Sequence, residues 1–297
     1  MLNFAINESF FGNLNYLGIP ITNSQSLTIL ILANVGSRYE SLNEEGIAHF
    51  FEHIVFKGTK KFPTPQILAT AVDAIGADFN AFTSKEYTGF YIKCLSKKIE
   101  LGLEVLSEMM INPLMEEKAI KREKNVIKEE MRMYYDMPQY YIANIFERQF
   151  FEDRRLGHFV IGDEGVIDQI KQKNFINFMK KWYGANNLTL VLAGDSKIVN
   201  DPKTKSLVKK YFQKLSVSSE NYQNYLIKKD EYKPNLHLEY RDTKQAHFVL
   251  GWPGLKHEDP EKYALKLLSV ILGENMSSRL FTELREKRGL CYYIEKK

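Results

Sequence analysis

The nine residues Ile47–Val55 (Ile-Ala-His-Phe-Phe-Glu-His-Ile-Val) restrict the fold more than any other stretch of this 297-residue chain. Wound as a helix, Ile47, Phe50, Phe51, Ile54 and Val55 follow the i, i+3, i+4, i+7, i+8 rule and gather into one apolar stripe. That stripe demands a core beneath it. His49, Glu52 and His53 then fall on nearly the opposite side, with the two imidazoles one turn apart on one face. Imidazoles so placed can close on one divalent cation, and Glu52 lies on the same side, where its carboxylate can take a proton from a nearby water. The same trio also describes the solvated face of a surface helix, so the pentapeptide needs company.

Two imidazoles leave a zinc ion short of ligands, because a catalytic site has three protein donors and one open position. The segment Glu116–Tyr134 is charged, helix-forming and free of Pro and Gly, and it holds Glu123, Glu129 and Glu130. Glu123 and Glu130 lie two turns apart on one face, whereas Glu129 points about 100° away. Taken singly, each of these glutamates fits a solvated helix face equally well.

The order His-x-x-Glu-His is the inverted form of the zinc-peptidase motif. Around it stand Gly36-Ser37-Arg38-Tyr39-Glu40, Gly46-Ile47-Ala48-His49-Phe50-Phe51-Glu52-His53, Phe56-Lys57-Gly58-Thr59, Asn80-Ala81-Phe82-Thr83-Ser84-Lys85-Glu86 and Glu123 to Met131. With these phrases the chain resembles the pitrilysin family of zinc peptidases, which includes insulinase and the mitochondrial processing peptidase. The resemblance implies a third ligand 77 residues beyond the second His, which is Glu130, and a supporting glutamate seven residues earlier, which is Glu123. Glu123 then reads as a residue that orients a ligand. One Zn2+ per chain is implied, with Glu52 as the catalytic base.

Alternating apolar residues on either side of Ser84-Lys85-Glu86 predict a β-hairpin over Asp78–Cys94. The resemblance implies that Asn80 and Ala81 lie on an open sheet edge beside the metal, where a peptide substrate adds as an extra strand. Near the end of the chain, Ser277-Ser278 is expected to cap a helix over Arg279–Lys287, followed by Gly289 and a strand over Leu290–Ile294. The family phrase with an Arg and a Tyr seven residues apart falls on Arg285 and Tyr292, although Gly289 follows Arg285 by four residues rather than five. The resemblance implies that both steady the developing oxyanion, acting on the zinc of an opposite half.

Strand and helix signals alternate. A strand is expected at Leu27–Val35, and helices near Pro65–Gly76, Ile99–Asn112 and Phe175–Tyr183. A further strand follows at Asn187–Ala193, and then a helix ending near Leu215. The second half is expected to repeat the pattern, with strands at His237–Arg241 and Ala246–Trp252 and a helix at Pro260–Leu272. The resulting fold class is α+β, a mixed and largely antiparallel sheet packed with helices, repeated in two similar domains of which the second is incomplete. The boundaries are residues 1–215 for the zinc-bearing domain, 216–236 for a linker and 237–297 for the second domain. A family half runs to something like 400 residues, so this chain is expected to be a fragment, a truncated product or half of a complex.

Composition is that of a globular protein, with 44% hydrophobic and 26% charged residues. The net charge of +4 and the broken Lys runs give no nucleic-acid stripe, and the longest apolar run, Leu27–Val35, is far too short for a bilayer. No signal peptide is evident, and two cysteines, Cys94 and Cys291, give no disulfide framework. A cytoplasmic, reducing location is expected. Two functions follow from this reading. One is a zinc-dependent endopeptidase acting on unfolded peptides or small polypeptides, working as a homodimer or with a related subunit. The other is a non-catalytic peptide-binding scaffold of the same fold.

Overall fold

The computed structural model describes residues 6–10, 13–151, 155–220 and 234–294. They cluster into two compact units, Met1–Val249 and Leu250–Lys297.

In the first unit the elements run β1 (Ile6–Ser9), β2 (Asn15–Ile21), β3 (Ser26–Ala33), α1 (Ile47–Val55), α2 (Pro65–Asp73), β4 (Asp78–Thr83) and β5 (Thr88–Leu95). Then come α3 (Ile99–Ile111), α4 (Glu117–Asp136), α5 (Pro138–Phe151), α6 (Glu164–Gln169), α7 (Gln172–Trp182), β6 (Leu188–Asp195), α8 (Ser196–Val199) and α9 (Pro202–Phe212). The sheet order is β1-β2-β6-β3-β5-β4, and only the β2–β6 pair is parallel. The α+β class expected from the sequence is the one observed. β3 sits between β6 and β5, and its Leu27, Ile29, Ile31 and Ala33 turn one face into the core. That alternation is the period-2 pattern of a half-buried strand. β4 is an edge, its outer side unpaired among the described residues.

Helix α1 exists because its stripe has something to cover. Ile47, Phe50, Phe51, Ile54 and Val55 are fully buried, and Phe50 meets Phe175 of α7 edge-on at 4.8 Å. Phe51 packs on Tyr183 at 4.3 Å. Burying one such ring is worth roughly 1.5–3 kcal/mol. The helix start is fixed from a distance. Both oxygens of the buried Glu40 carboxyl accept backbone bonds, from Gly46 N and Ala48 N at 2.8 Å each. Gly46 has φ of 91°, and a Cβ there would stand 2.7 Å from Ile161 O, so only glycine suits the position.

The hairpin, the strand in residues 27–35 and the helices after Pro65, Ile99 and Glu116 lie where they were expected, to within a few residues. Strands β1 and β2 and helix α5 were not anticipated. Of the expected linker, residues 221–233 lie outside the described residues. Residues 216–220 pack against the end of α7, where Gly184 N donates to Ser218 Oγ at 2.6 Å and Ala185 N to Ser216 O at 2.8 Å.

The second half corrects the reading of the sequence. His237–Arg241, Ala246–Trp252 and Leu290–Ile294 form no strands. Their alternation is real, but a strand exists only as part of a ladder, and these segments have no partner strand among the described residues. Arg241 is instead held between the Tyr135 and Tyr141 rings, 3.9 Å from each centroid, while its Nη1 donates to Tyr135 O at 2.8 Å. In the second unit, α10 (Lys262–Gly273) matches the expected helix. The run expected at Arg279–Lys287 is helical from Arg279 but widens to π geometry over Phe281–Glu286. Ser278 does not cap it, since its buried hydroxyl has no hydrogen-bond partner; the helix end does carry Gly289 in the left-handed region, φ 60°.

Candidate metal and active site

Helices α1 and α4 cross so that His49, His53 and Glu130 converge. One donor atom from each lies within 4.8 Å of the others. His49 Nε2 stands 3.8 Å and His53 Nε2 3.7 Å from the same Glu130 Oε2. Glu129, one residue earlier, turns to solvent and pairs with Arg132. The 100° step between neighbouring helix residues thus separates the glutamate that faces the imidazoles from the one that does not.

Glu123 lies two turns back along α4 and is buried. Its Oε2 is 3.3 Å from His53 Nδ1 and its Oε1 is 3.0 Å from Lys57 Nζ. Burial pushes this carboxyl up, but the bonds from His53 and Lys57 and the Lys57 charge outweigh it, so its pKa lies below the ordinary value. A carboxylate on Nδ1 fixes the tautomer that leaves the Nε2 lone pair free to bind a metal. His49 is driven down to about 3, first by burial and then by the charge of His53, and is therefore a neutral imidazole. Its Nδ1 is buried without a partner.

Glu52, on the adjoining face of α1, accepts a hydrogen bond from Thr83 Oγ1 at the end of β4. Burial raises its pKa and the nearby Glu130 charge adds to this, against the opposing effects of Thr83 and His53. On β4, residues Phe79, Ala81 and Thr83 share the half-buried face, and Asn80 lies on the exposed one. Asn80 Oδ1 accepts from Ala81 N at 2.9 Å, so the asparagine side chain caps a main-chain donor of its own edge strand. Phe82 lays its ring where a Cβ on Gly89 of β5 would stand. Arg285 and Tyr292 belong to the second unit, where the Arg285 guanidinium lies 5.4 Å from the Tyr292 ring centroid.

Three residues of this site went unassigned in the sequence. Lys57 and Thr83 lie inside the phrases that carry the resemblance, and Glu40 ends another, but their contacts span 66, 31 and at least six residues of chain. No local periodicity reports such contacts.

Two imidazoles and a carboxyl on α1, joined by the Glu130 carboxylate of α4, make a cluster that could hold a metal ion, with the inverted His-x-x-Glu-His order on its helix. The donor set, two imidazole nitrogens and one carboxylate oxygen, is one that zinc accepts. The chain belongs to the insulinase family, peptidase family M16, whose model matches residues 20–164. A second model, described as the peptidase M16 inactive domain, matches residues 169–295 and so takes in α7, β6 and α9 of the first unit. The chain is 35% identical over 293 residues to an uncharacterized zinc protease of Rickettsia felis, covering 98% of this chain and 69% of that protein. It is 33% identical over 288 residues to an uncharacterized zinc protease of Streptomyces coelicolor, covering 95% of this chain and 62% of that protein. A protease from Helicobacter pylori of known crystal structure superposes with a TM-score of 0.78 at 26% identity, covering 99% of this chain and 71% of the other. The chain therefore spans about two thirds of the length of these relatives. Among the described residues no helix is long and apolar enough to cross a membrane.

Proposed function

We propose that this chain carries the catalytic centre of a zinc-dependent endopeptidase acting on unfolded peptides or small polypeptides. The convergence of His49, His53 and Glu130 beside Glu52 is the observation that carries the reading. These three would hold the ion, with Glu123 orienting His53. Zinc, when bound, supplies Lewis acidity to water and to the scissile carbonyl. Glu52 takes the proton of the attacking water and passes it to the leaving amine. A pKa raised by burial suits a carboxyl that must both accept and return that proton.

The edge of β4 holds the peptide in extended form through main-chain bonds, which read little sequence. A peptide carbonyl would take over the Ala81 N–H that Asn80 now caps. Arg285 and Tyr292 are proposed to bind the substrate carbonyl in an assembly with a second family chain, either a copy or a related subunit.

The Glu52→Gln variant tests the assignment. It is expected to bind zinc as the unaltered protein does and to cleave a quenched fluorogenic peptide at least roughly a hundredfold more slowly. Undiminished cleavage would remove Glu52 from the reaction. A second reading, a peptide-binding subunit without turnover, is favoured by the match of residues 169–295 to a domain described as inactive. Its signature would be zinc and peptide bound by the unaltered protein with no cleavage at any protein concentration.

A further inference from the structure

Thr83 occupies an unusual junction. It is the last residue of β4, paired in register with Thr88 across the hairpin, and it lies on the strand face that also carries Ala81. Its hydroxyl donates to Glu52 Oε2, 31 residues away in sequence and on a different element. One short side chain thus joins the open edge of the sheet to the carboxylate of α1. The geometry has three consequences. First, a carboxylate with no donor on it can turn about its side-chain torsions, and a donor on one oxygen confines it to one orientation. Second, the bond occupies Glu52 Oε2, so Oε1 is the oxygen left to meet water. Third, the donor belongs to the strand on which a peptide would dock, so a shift of that strand on docking moves the donor with it.

We infer that Thr83 is a positioning residue, aiming the Glu52 carboxylate through its hydroxyl and coupling that aim to occupancy of the β4 edge. The inference rests on the endopeptidase reading given above. A β-branched residue suits the strand end regardless of chemistry, so the hydroxyl is what must be tested. Thr83→Val keeps the shape and removes the donor, whereas Thr83→Ser keeps the donor and removes the methyl.

The test uses the full chain, loaded with zinc and assayed on a quenched fluorogenic peptide. A hydrogen bond to a charged group implies that Thr83→Val lowers kcat about tenfold or more with KM changed less than about twofold, and that Thr83→Ser returns kcat to within about threefold. Zinc content stays the same in all three proteins, since Thr83 touches no donor atom. A purely structural role for Thr83 would instead shift the zinc content, the KM or both, and Ser would not restore kcat. An unchanged kcat in Thr83→Val overturns the inference, while loss of cleavage in Glu52→Gln would show that the endopeptidase reading still stands.

A second readout needs no turnover. In protein labelled with 13C at the glutamate carboxyls, the Glu52 signal is identified by its disappearance in Glu52→Gln. At one fixed pH it is expected to move when Thr83 becomes Val, and to move again on adding a non-cleavable extended peptide only while Thr83 is present. A Glu52 signal indifferent to Thr83→Val, or one that responds to the peptide equally in both proteins, overturns the coupling.

Discussion

Glu123 shows how one side chain can set the properties of a centre it does not complete. With one oxygen 3.3 Å from His53 Nδ1 and the other 3.0 Å from Lys57 Nζ, it is fixed at both ends and buried. Replacing it with Ala frees the His53 ring and leaves the Lys57 ammonium without its carboxylate. Zinc affinity in Glu123→Ala is therefore expected to fall about 10–100-fold with the fold intact, as read by competition against a chromophoric chelator. Equal affinities would mean that the His53 ring needs no orientation from α4. At this scale the sequence was most legible where one helix decided the geometry. The four-residue spacing placed His49 over His53, and the seven-residue spacing set Glu123 and Glu130 on one face with Glu129 turned away. It was least legible for Lys57, Thr83 and Glu40, whose partners come from other elements.

The start of helix α1 is fixed by Glu40, which no N-cap rule would nominate, because the residue lies six positions before Gly46 and reaches forward across a loop. Burial holds the Glu40 carboxyl well above its usual range, the bonds from Ala48 and Gly46 only partly offsetting it. A carboxyl whose folded pKa exceeds its unfolded value binds protons more readily when folded, so stability is lost as pH rises from the ordinary value of 4.5 towards the folded one. Glu40→Gln cannot ionise and escapes that loss. Unfolding curves at about pH 5 and about pH 8 should therefore show the unaltered protein losing stability relative to the variant over that interval. Parallel behaviour at both values would mean that the two backbone donors keep Glu40 charged throughout. Element scale is also where pattern reading failed for a definite reason. Helix α5 went unread although Ile142, Ile145, Phe146 and Phe150 stand at i, i+3, i+4 and i+8, and none of its residues is fully buried; the segments at 237–241, 246–252 and 290–294 have the alternation of strands without a ladder to join among the described residues.

Across the whole first unit, the proposed metal site joins parts that the chain itself keeps far apart. Its donors come from α1 and from α4, which begins 62 residues after α1 ends, and between those helices lie α2, the β4–β5 hairpin and α3. Residues 188–195 then return as β6, inserted between β2 and β3, so the sheet that supports α1 is completed only by sequence far downstream. An ion that bound His49, His53 and Glu130 together would add one tie across this arrangement, present in the folded state and absent from the unfolded chain. Zinc at about a hundred times its dissociation constant should contribute about 2.7 kcal/mol of stability. For a unit of this size that corresponds to a rise in Tm of roughly 5–10 °C. The rise should vanish in His49→Ala and return to the metal-free value on adding a chelator to the unaltered protein. Tm measured by circular dichroism with and without zinc decides the matter: a shift of equal size in His49→Ala would mean that the stabilising ion binds somewhere other than between α1 and α4.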